Sequence, residues 1–249
     1  MSYEAYIKSD YFKQPNLYSY KETITNNYQV ITNDKILLKF IDWLPELQPT
    51  EKYYVALFAR KKYINEDIKV PDKAQLKRFT ATKDYLYGKI KQLQCELGSY
   101  SFKDIPVPQE CLSLYINPNP RCMVKSSKQT LRKLADCITN DYNGYNPHSI
   151  AMNNIQTSCS RKIYFDFDID GIDYDALVKE LTDKINFDCL TFLHTRGGYH
   201  LLVELSKIDE QYKKNWYNTL SRLPGCDVKG DNLIPVPGTF QGGFTPYFM

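Results

Sequence analysis

The chain has 249 residues, of which 43% are hydrophobic and 14% aromatic, enough to fill the core of one large domain or two small ones. A net charge of only +3 excludes binding to nucleic acid through a global field, so any such affinity must come from a local patch. Seven cysteines without a Cys-x-x-Cys pair, beside only three histidines, support neither a disulfide framework nor a zinc site. The N-terminus lacks an apolar signal run and no stretch approaches about 18 apolar residues, so a cytoplasmic protein with no membrane contact is expected.

Residues 1–34 are polar and tyrosine-rich, broken by Asn26-Asn27 and Asn33-Asp34, and read as an arm or irregular segment. Residues 36–44 fit a helix or a strand equally, and residues 53–60 form a buried strand. Over residues 73–96, Leu76, Phe79, Tyr85, Leu86, Ile90 and Leu93 recur at roughly helical spacing among lysines, which predicts an amphipathic helix. Residues 112–116 are the next strand. Residues 126–139 form a helix introduced by Ser126-Ser127, with Leu131, Leu134, Ala135 and Ile138 on one face. Residues 140–160, rich in Asn, Ser and Pro, read as a connecting loop.

The chemistry is concentrated in the rest of the chain. In Lys162-Ile163-Tyr164-Phe165-Asp166-Phe167-Asp168-Ile169-Asp170, alternation along a strand puts the three aspartates on one face, opposite Phe165, Phe167 and Ile169. Adjacent carboxylates repel, and a hard divalent cation relieves the repulsion; two carboxylates plus substrate phosphates are the usual way Mg²⁺ is held. Asp170, just ahead of Gly171 and Asp173, is assigned instead to capping a helix that starts near Ile172 and whose body spans about residues 174–185. Next comes a hairpin: residues 189–193 are apolar, Arg196-Gly197-Gly198 breaks the run, and residues 199–205 resume it. Its glycines let backbone amides approach an anion, Arg196 can fork onto phosphate oxygens, Thr195 adds a hydroxyl, and His200 leaves the turn on the returning strand. His194 and His148 have no such context and are read as structural. After a helix over about residues 210–220, a short strand carries Asp227, the choice for a third carboxylate. Asp231, in a Gly-Asp-Asn turn, is the alternative.

From the acidic strand onward the order is strand, helix, strand, strand, helix, strand, the split βαβ pattern of ferredoxin-like and RNA-recognition-type units. The expected fold is therefore α/β of the α+β kind. An N-terminal α/β lobe over about residues 1–150 could close over a C-terminal antiparallel sheet over about residues 151–249.

The order Asp-x-Asp, then Thr-x-Gly-Gly-x-His, then a strand-borne Asp followed by Pro-Gly-Thr resembles the archaeo-eukaryotic primase superfamily, in particular its phage and plasmid primase-polymerase branch. Upstream, Leu114-Tyr115-Ile116-Asn117-Pro118-Asn119-Pro120-Arg121 is similar to a strand plus Asn-Pro-Arg segment of some phage members, so the resemblance spans about residues 110–240. It implies a two-lobed primase-polymerase in the cytoplasm of a phage-infected or plasmid-bearing cell, carrying out template-directed nucleotidyl transfer on single-stranded DNA. The partners implied are template, primer, NTP or dNTP, and a replicative helicase as a further candidate. Asp166, Asp168 and Asp227 would hold two Mg²⁺ or Mn²⁺ ions. His200, with Thr195, Arg196 and the Gly197 and Gly198 amides, would hold the triphosphate, and Arg121 and Lys125 would face nucleotide or primer phosphates across the cleft. One departure stands out: many relatives place Arg or Lys just before the Pro-Gly of the third motif, where this chain has Leu233-Ile234-Pro235-Val236. That cation must come from elsewhere, Lys229 being one candidate, or be missing. Three other readings stay open, a rolling-circle initiator nuclease, a non-catalytic RNA-recognition-type binding module, and a primase-fold accessory subunit, which the intact Asp-x-Asp disfavours. The nuclease needs a His-hydrophobe-His pair that the lone His200 does not supply, and the module would show aromatic residues on the sheet face where this chain has aspartates.

Overall fold

The computed structural model describes residues 26–64, 69–140 and 144–249, and places most of them around two five-stranded antiparallel sheets. The segment that fitted helix or strand equally is helix α1, Asp34–Trp43, because the Asn33 side chain caps it by accepting from the Ile36 amide at 3.1 Å. Strand β1, Glu51–Ala59, is buried almost throughout at the centre of the first sheet, which explains its unbroken apolar run. Of the expected arm, residues 26–33 are irregular and anchored by bridges from Asn27 to Glu96 and from Ile31 to Thr239. Residues 1–25 lie outside the described residues.

The helix expected over residues 73–96 is two elements, strand β2, Ala74–Ala81, and helix α2, Lys83–Lys91. A bulge hides the strand. The partner of Leu57 is Lys77 and that of Phe58 is Gln75, so Leu76 is the extra residue, and the period-two alternation breaks where the apolar spacing mimics a helix. A short hairpin follows, β3 at Ser101–Phe102 and β4 at Ile105–Pro106; then β5, Leu112–Ile116, as expected, and β6, Arg121–Cys122. Helix α3, Met123–Thr139, starts ahead of the two serines, with Cys122 Sγ accepting from the Lys125 amide at 3.3 Å. Its expected apolar face points to solvent, with Leu131 72% and Ile138 65% exposed. Helix α4, Pro147–Thr157, stands where a loop was expected. Asn146 caps it through the Ser149 amide and Pro147 occupies its first turn, so these residues signal a helix start and not a loop.

The second sheet contains β7, Tyr164–Asp170, and, beyond helix α5, Tyr174–Leu181, the hairpin strands β8, Leu190–His194, and β9, Gly198–Glu204. Helix α6, Trp216–Leu220, is shorter than the expected 210–220. Strand β10, Cys226–Gly230, completes a four-strand order β10-β7-β9-β8. The chain then crosses back: β11, Ile234–Pro235, pairs with β5 in the first sheet, and β12, Tyr247–Phe248, returns to β8. Residues after Gly230 therefore stitch the two sheets together. Phe167, Ile169, Leu201 and Val203 on one face of the second sheet pack with Leu177, Leu181 and Leu220 of α5 and α6. Tyr164, Leu193 and Leu202, on the other face, join the core of the first sheet beside Leu37, Phe40 and Val55. The acidic face of β7 is thus the face turned toward the first sheet.

Polar contacts lock the seam between the sheets. Asn119 donates to the Tyr164 carbonyl and accepts from the Ile163 and Tyr164 amides, each at 2.8 Å. Arg161 forks onto Glu51, with Nε to Oε1 at 2.9 Å and Nη2 to Oε2 at 2.8 Å. These hydrogen bonds, above all, pull the Glu51 carboxyl down from 4.5 to about 2. Because the folded value lies below the unfolded one, the pair's contribution is complete above about pH 4.5 and fades as pH falls toward about 2. We predict that Glu51→Gln is less stable than wild type at pH 7, and that chemical denaturation shows the gap narrowing by about 1 kcal/mol by pH 3.5. A gap independent of pH would mean that the ion pair does not hold the seam.

Candidate functional site

Pairing of β7 with β9 sets Asp168 directly opposite His200 and Asp166 opposite Leu202. The His200 ring consequently enters the row of aspartates. Its Nδ1 donates to Asp166 Oδ1 at 3.0 Å, and its Nε2 lies 3.7 Å from Asp168 Oδ1. Asn232 Nδ2 donates to Asp166 Oδ2 at 3.0 Å, so both oxygens of this buried carboxylate already accept hydrogen bonds. Burial pulls the His200 pKa down, but the charge and hydrogen bond of Asp166, helped by Asp168 and Asp170, more than offset it and hold the imidazole above its ordinary value. Asp168 is pushed up by burial first, then by Asp166 and Asp170, against the opposing charges of His200 and Lys62.

Asp170 is not the helix cap. Asp173 fills that role, accepting from the Ala176 amide at 2.9 Å, and Asp170 is exposed at the cleft with the other two. Asp227 reaches the same cleft because the β10–β7 register shifts between Cys226 and Lys229, and a bulge there re-aims the side chain. Asp231 goes elsewhere. Arg121 grips it with Nη1 to Oδ2 at 2.7 Å and Nη2 to Oδ1 at 2.6 Å, and Asn119 adds a third donor at 2.8 Å. Arg121, expected to face phosphates, is 1% exposed and spent on this pair and on the Gln156 carbonyl. Lys125 is exposed on α3 and does not line the cleft.

In the hairpin turn, Thr195 and Gly197 line the cleft. The Thr195 amide and hydroxyl both donate to the Gly198 carbonyl, at 2.9 and 3.1 Å, so this hydroxyl closes the turn. Gly198 is required by close packing: a Cβ there would sit 2.3 Å from the Ile169 carbonyl oxygen and 2.6 Å from Asp170 Oδ1. Arg196 leans across to the first sheet, its guanidinium 4.7 Å from the Tyr63 ring centre and its Nη1 donating to the Tyr63 carbonyl at 3.2 Å. His194 stacks on Tyr199 and contacts the Tyr247 hydroxyl, and His148 is exposed on α4.

The cleft has a volume of about 320 Å³. One wall carries Asp166, Asp168, Asp170, Asp227 and His200. The other carries Arg60, Lys62 and Lys73, with the rings of Phe58, Tyr63 and Tyr115. Sequence reasoning missed this second wall and Asn232. The available signal was the basic run Arg60-Lys61-Lys62 directly after a buried strand. The hard oxygen donors of Asp168, Asp170 and Asp227 suit Mg²⁺ or Mn²⁺ in kind. Among the described residues, no three His, Cys, Asp or Glu side chains are already gathered into a metal cage. No family model, curated protein or solved structure matches the chain.

Two expectations separate the carboxylates. Asp231→Asn breaks a buried pair and lowers stability by about 3–5 kcal/mol with Mn²⁺ affinity unchanged, whereas Asp227→Asn leaves the melting temperature unmoved and weakens Mn²⁺ binding. The reverse assignment would make Asp231 the ligand. Asp166→Asn, which leaves His200 poorly matched, costs about 1–3 kcal/mol in thermal or chemical denaturation, while Asp168→Asn, which removes a strained charge, is neutral or stabilising. Equal losses would show that His200 does not depend on Asp166.

Proposed function

We propose that this chain is a primase-polymerase that extends or initiates a strand on single-stranded DNA by two-metal nucleotidyl transfer. The observation that carries the reading is a cleft of nucleotide size with a carboxylate wall facing a cationic wall, the arrangement a metal–triphosphate complex requires. The four-strand order β10-β7-β9-β8, with α5 and α6 on the far face, supports a ferredoxin-like catalytic sheet, and the first sheet would be the second lobe of a two-lobed enzyme. A binding module of this topology would stack bases on aromatic side chains, whereas this sheet face presents Asp166, Asp168, Asp170 and His200 to the cleft.

Mg²⁺ or Mn²⁺, when bound, would neutralise charge on the α-phosphate and lower the pKa of the attacking 3′-hydroxyl. Asp168 and Asp227 would hold the ions from the open side of the cleft. Asp166 would act at the floor, as a ligand through its remaining lone pairs and as the anchor of His200. His200, anchored to Asp166 through Nδ1, would contact the phosphates with the rest of its ring. Gly197 leaves room for them at the hairpin turn. Thr195 closes that turn, and Arg196 pins it to Tyr63. Substrates would be NTP or dNTP with a single-stranded template and a primer.

The test is primer extension on single-stranded DNA with Mg²⁺ or Mn²⁺. Wild type incorporates nucleotide, and Asp168→Asn loses about 10²-fold or more while keeping its circular-dichroism spectrum and a melting temperature no lower than wild type's. Full activity in Asp168→Asn would remove the carboxylate wall from the chemistry and end the polymerase reading.

A further inference from the structure

The cationic wall comes from the part of the chain that none of the motifs touches. Arg60 follows β1, only 7% exposed, yet lines the cleft. Its guanidinium is fixed on several sides. Nε lies 3.3 Å from Asp72 Oδ1, Nη1 donates to the Tyr115 hydroxyl, and the Tyr63 and Tyr115 ring centres are 5.5 and 5.7 Å from Cζ. The Arg60 amide is held by the Cys111 carbonyl at 2.7 Å. Arginine cannot shed its charge and presents a planar fork, so a nearly buried guanidinium held this way is a preorganised oxyanion receptor. Lys62 and Lys73 flank it on exposed positions of the same wall. Lys62 is close enough to Asp168 for its charge to act on that carboxyl, so the two walls share one electrostatic site. Among the described residues, the ion pair on this wall is that of Arg60 with Asp72.

We propose that Arg60, with Lys62 and Lys73, seats the polyphosphate tail of a nucleoside triphosphate that bridges the cleft from the carboxylate wall. This assignment rests on the nucleotidyl-transfer reading. It accounts for the missing cation of the third motif: Leu233 and Pro235 supply apolar lining, Lys229 lies on β10 outside the cleft lining, and the opposite wall brings the charge. Phosphodiesters of a DNA strand share the chemistry of the tail. A continuous strand, however, needs an open groove, and Arg60 sits nearly buried in a cleft of about 320 Å³, where the free end of a triphosphate can reach it.

The experiment measures the affinity of the full chain for inorganic tripolyphosphate and, separately, for a single-stranded oligonucleotide, in wild type, Arg60→Lys and the double variant Lys62→Ala/Lys73→Ala. Tripolyphosphate binding should weaken about tenfold or more in both variants, with oligonucleotide binding within about twofold of wild type. The double variant changes only exposed side chains, so it keeps the test valid if Arg60→Lys fails to fold. Unchanged tripolyphosphate affinity in the double variant, or a loss confined to the oligonucleotide, overturns the assignment. Primer extension by wild type separates the two claims. If the variants lose tripolyphosphate binding but wild type never extends a primer, the anchor stands and the polymerase reading fails. If wild type extends primers and tripolyphosphate binding is indifferent to these residues, the anchor fails and the reading stands.

Discussion

Three carboxylates on one face of one strand crowd a largely buried cleft unless a hydrogen-bond donor stands among them. In this protein it is His200, brought opposite Asp168 by strand pairing and hydrogen-bonded to Asp166. The geometry depends on register. A one-residue slip of β9 would turn His200 to the face packed against α5 and α6 and leave the aspartates uncompensated. Gly198 guards that register, since its lack of a side chain lets β9 begin hard against the backbone of Ile169 and Asp170. Gly225 does the same from the other side, where a Cβ would lie 1.9 Å from the Asp170 carbonyl oxygen.

Behind the carboxylates, the Asn117-Pro118-Asn119-Pro120-Arg121 segment works as a brace and not as a phosphate contact. Asn117 holds the Asn232 carbonyl at 2.9 Å while the Asn232 side chain holds Asp166, and Arg121 secures the neighbouring Asp231. This network connects the first sheet to the floor of the site through buried polar contacts, so the position of Asp166 depends on both sheets being docked. The Pro237-Gly238-Thr239 turn has a similar structural purpose. Gly238 has φ +79°, and a Cβ there would lie 2.5 Å from the Leu37 amide nitrogen, so the turn seats directly on α1.

What could be read from the sequence was what depends on local pattern. The alternation of Asp166, Asp168 and Asp170 with Phe167 and Ile169 named a strand and its two faces, the Arg196-Gly197-Gly198 break named a hairpin, and the order of elements after residue 160 anticipated the second sheet. Asp227 and His200 reached the cleft as their motif positions implied. What failed depended on pairing partners no local window contains. The Leu76 bulge disguised β2, Asp231 found a buried arginine, and Asp170 lost the cap to Asp173. The cationic wall escaped because Arg60 and Lys73 are brought together only by the β1–β2 hairpin. For the outward face of α3, with Leu131 and Ile138 in solvent, periodicity showed which side was apolar but not what, if anything, it would meet.

On this reading the carboxylates form an unfinished ion site completed by the phosphates of a nucleotide. Mn²⁺ binding to the full chain, followed by electron paramagnetic resonance with and without a non-hydrolysable nucleoside triphosphate, tests it most directly. Mn²⁺ alone should bind weakly, far more tightly once the triphosphate is present, and without that enhancement in Asp168→Asn. Mn²⁺ affinity that ignores the triphosphate, or an enhancement that survives Asp168→Asn, would contradict it.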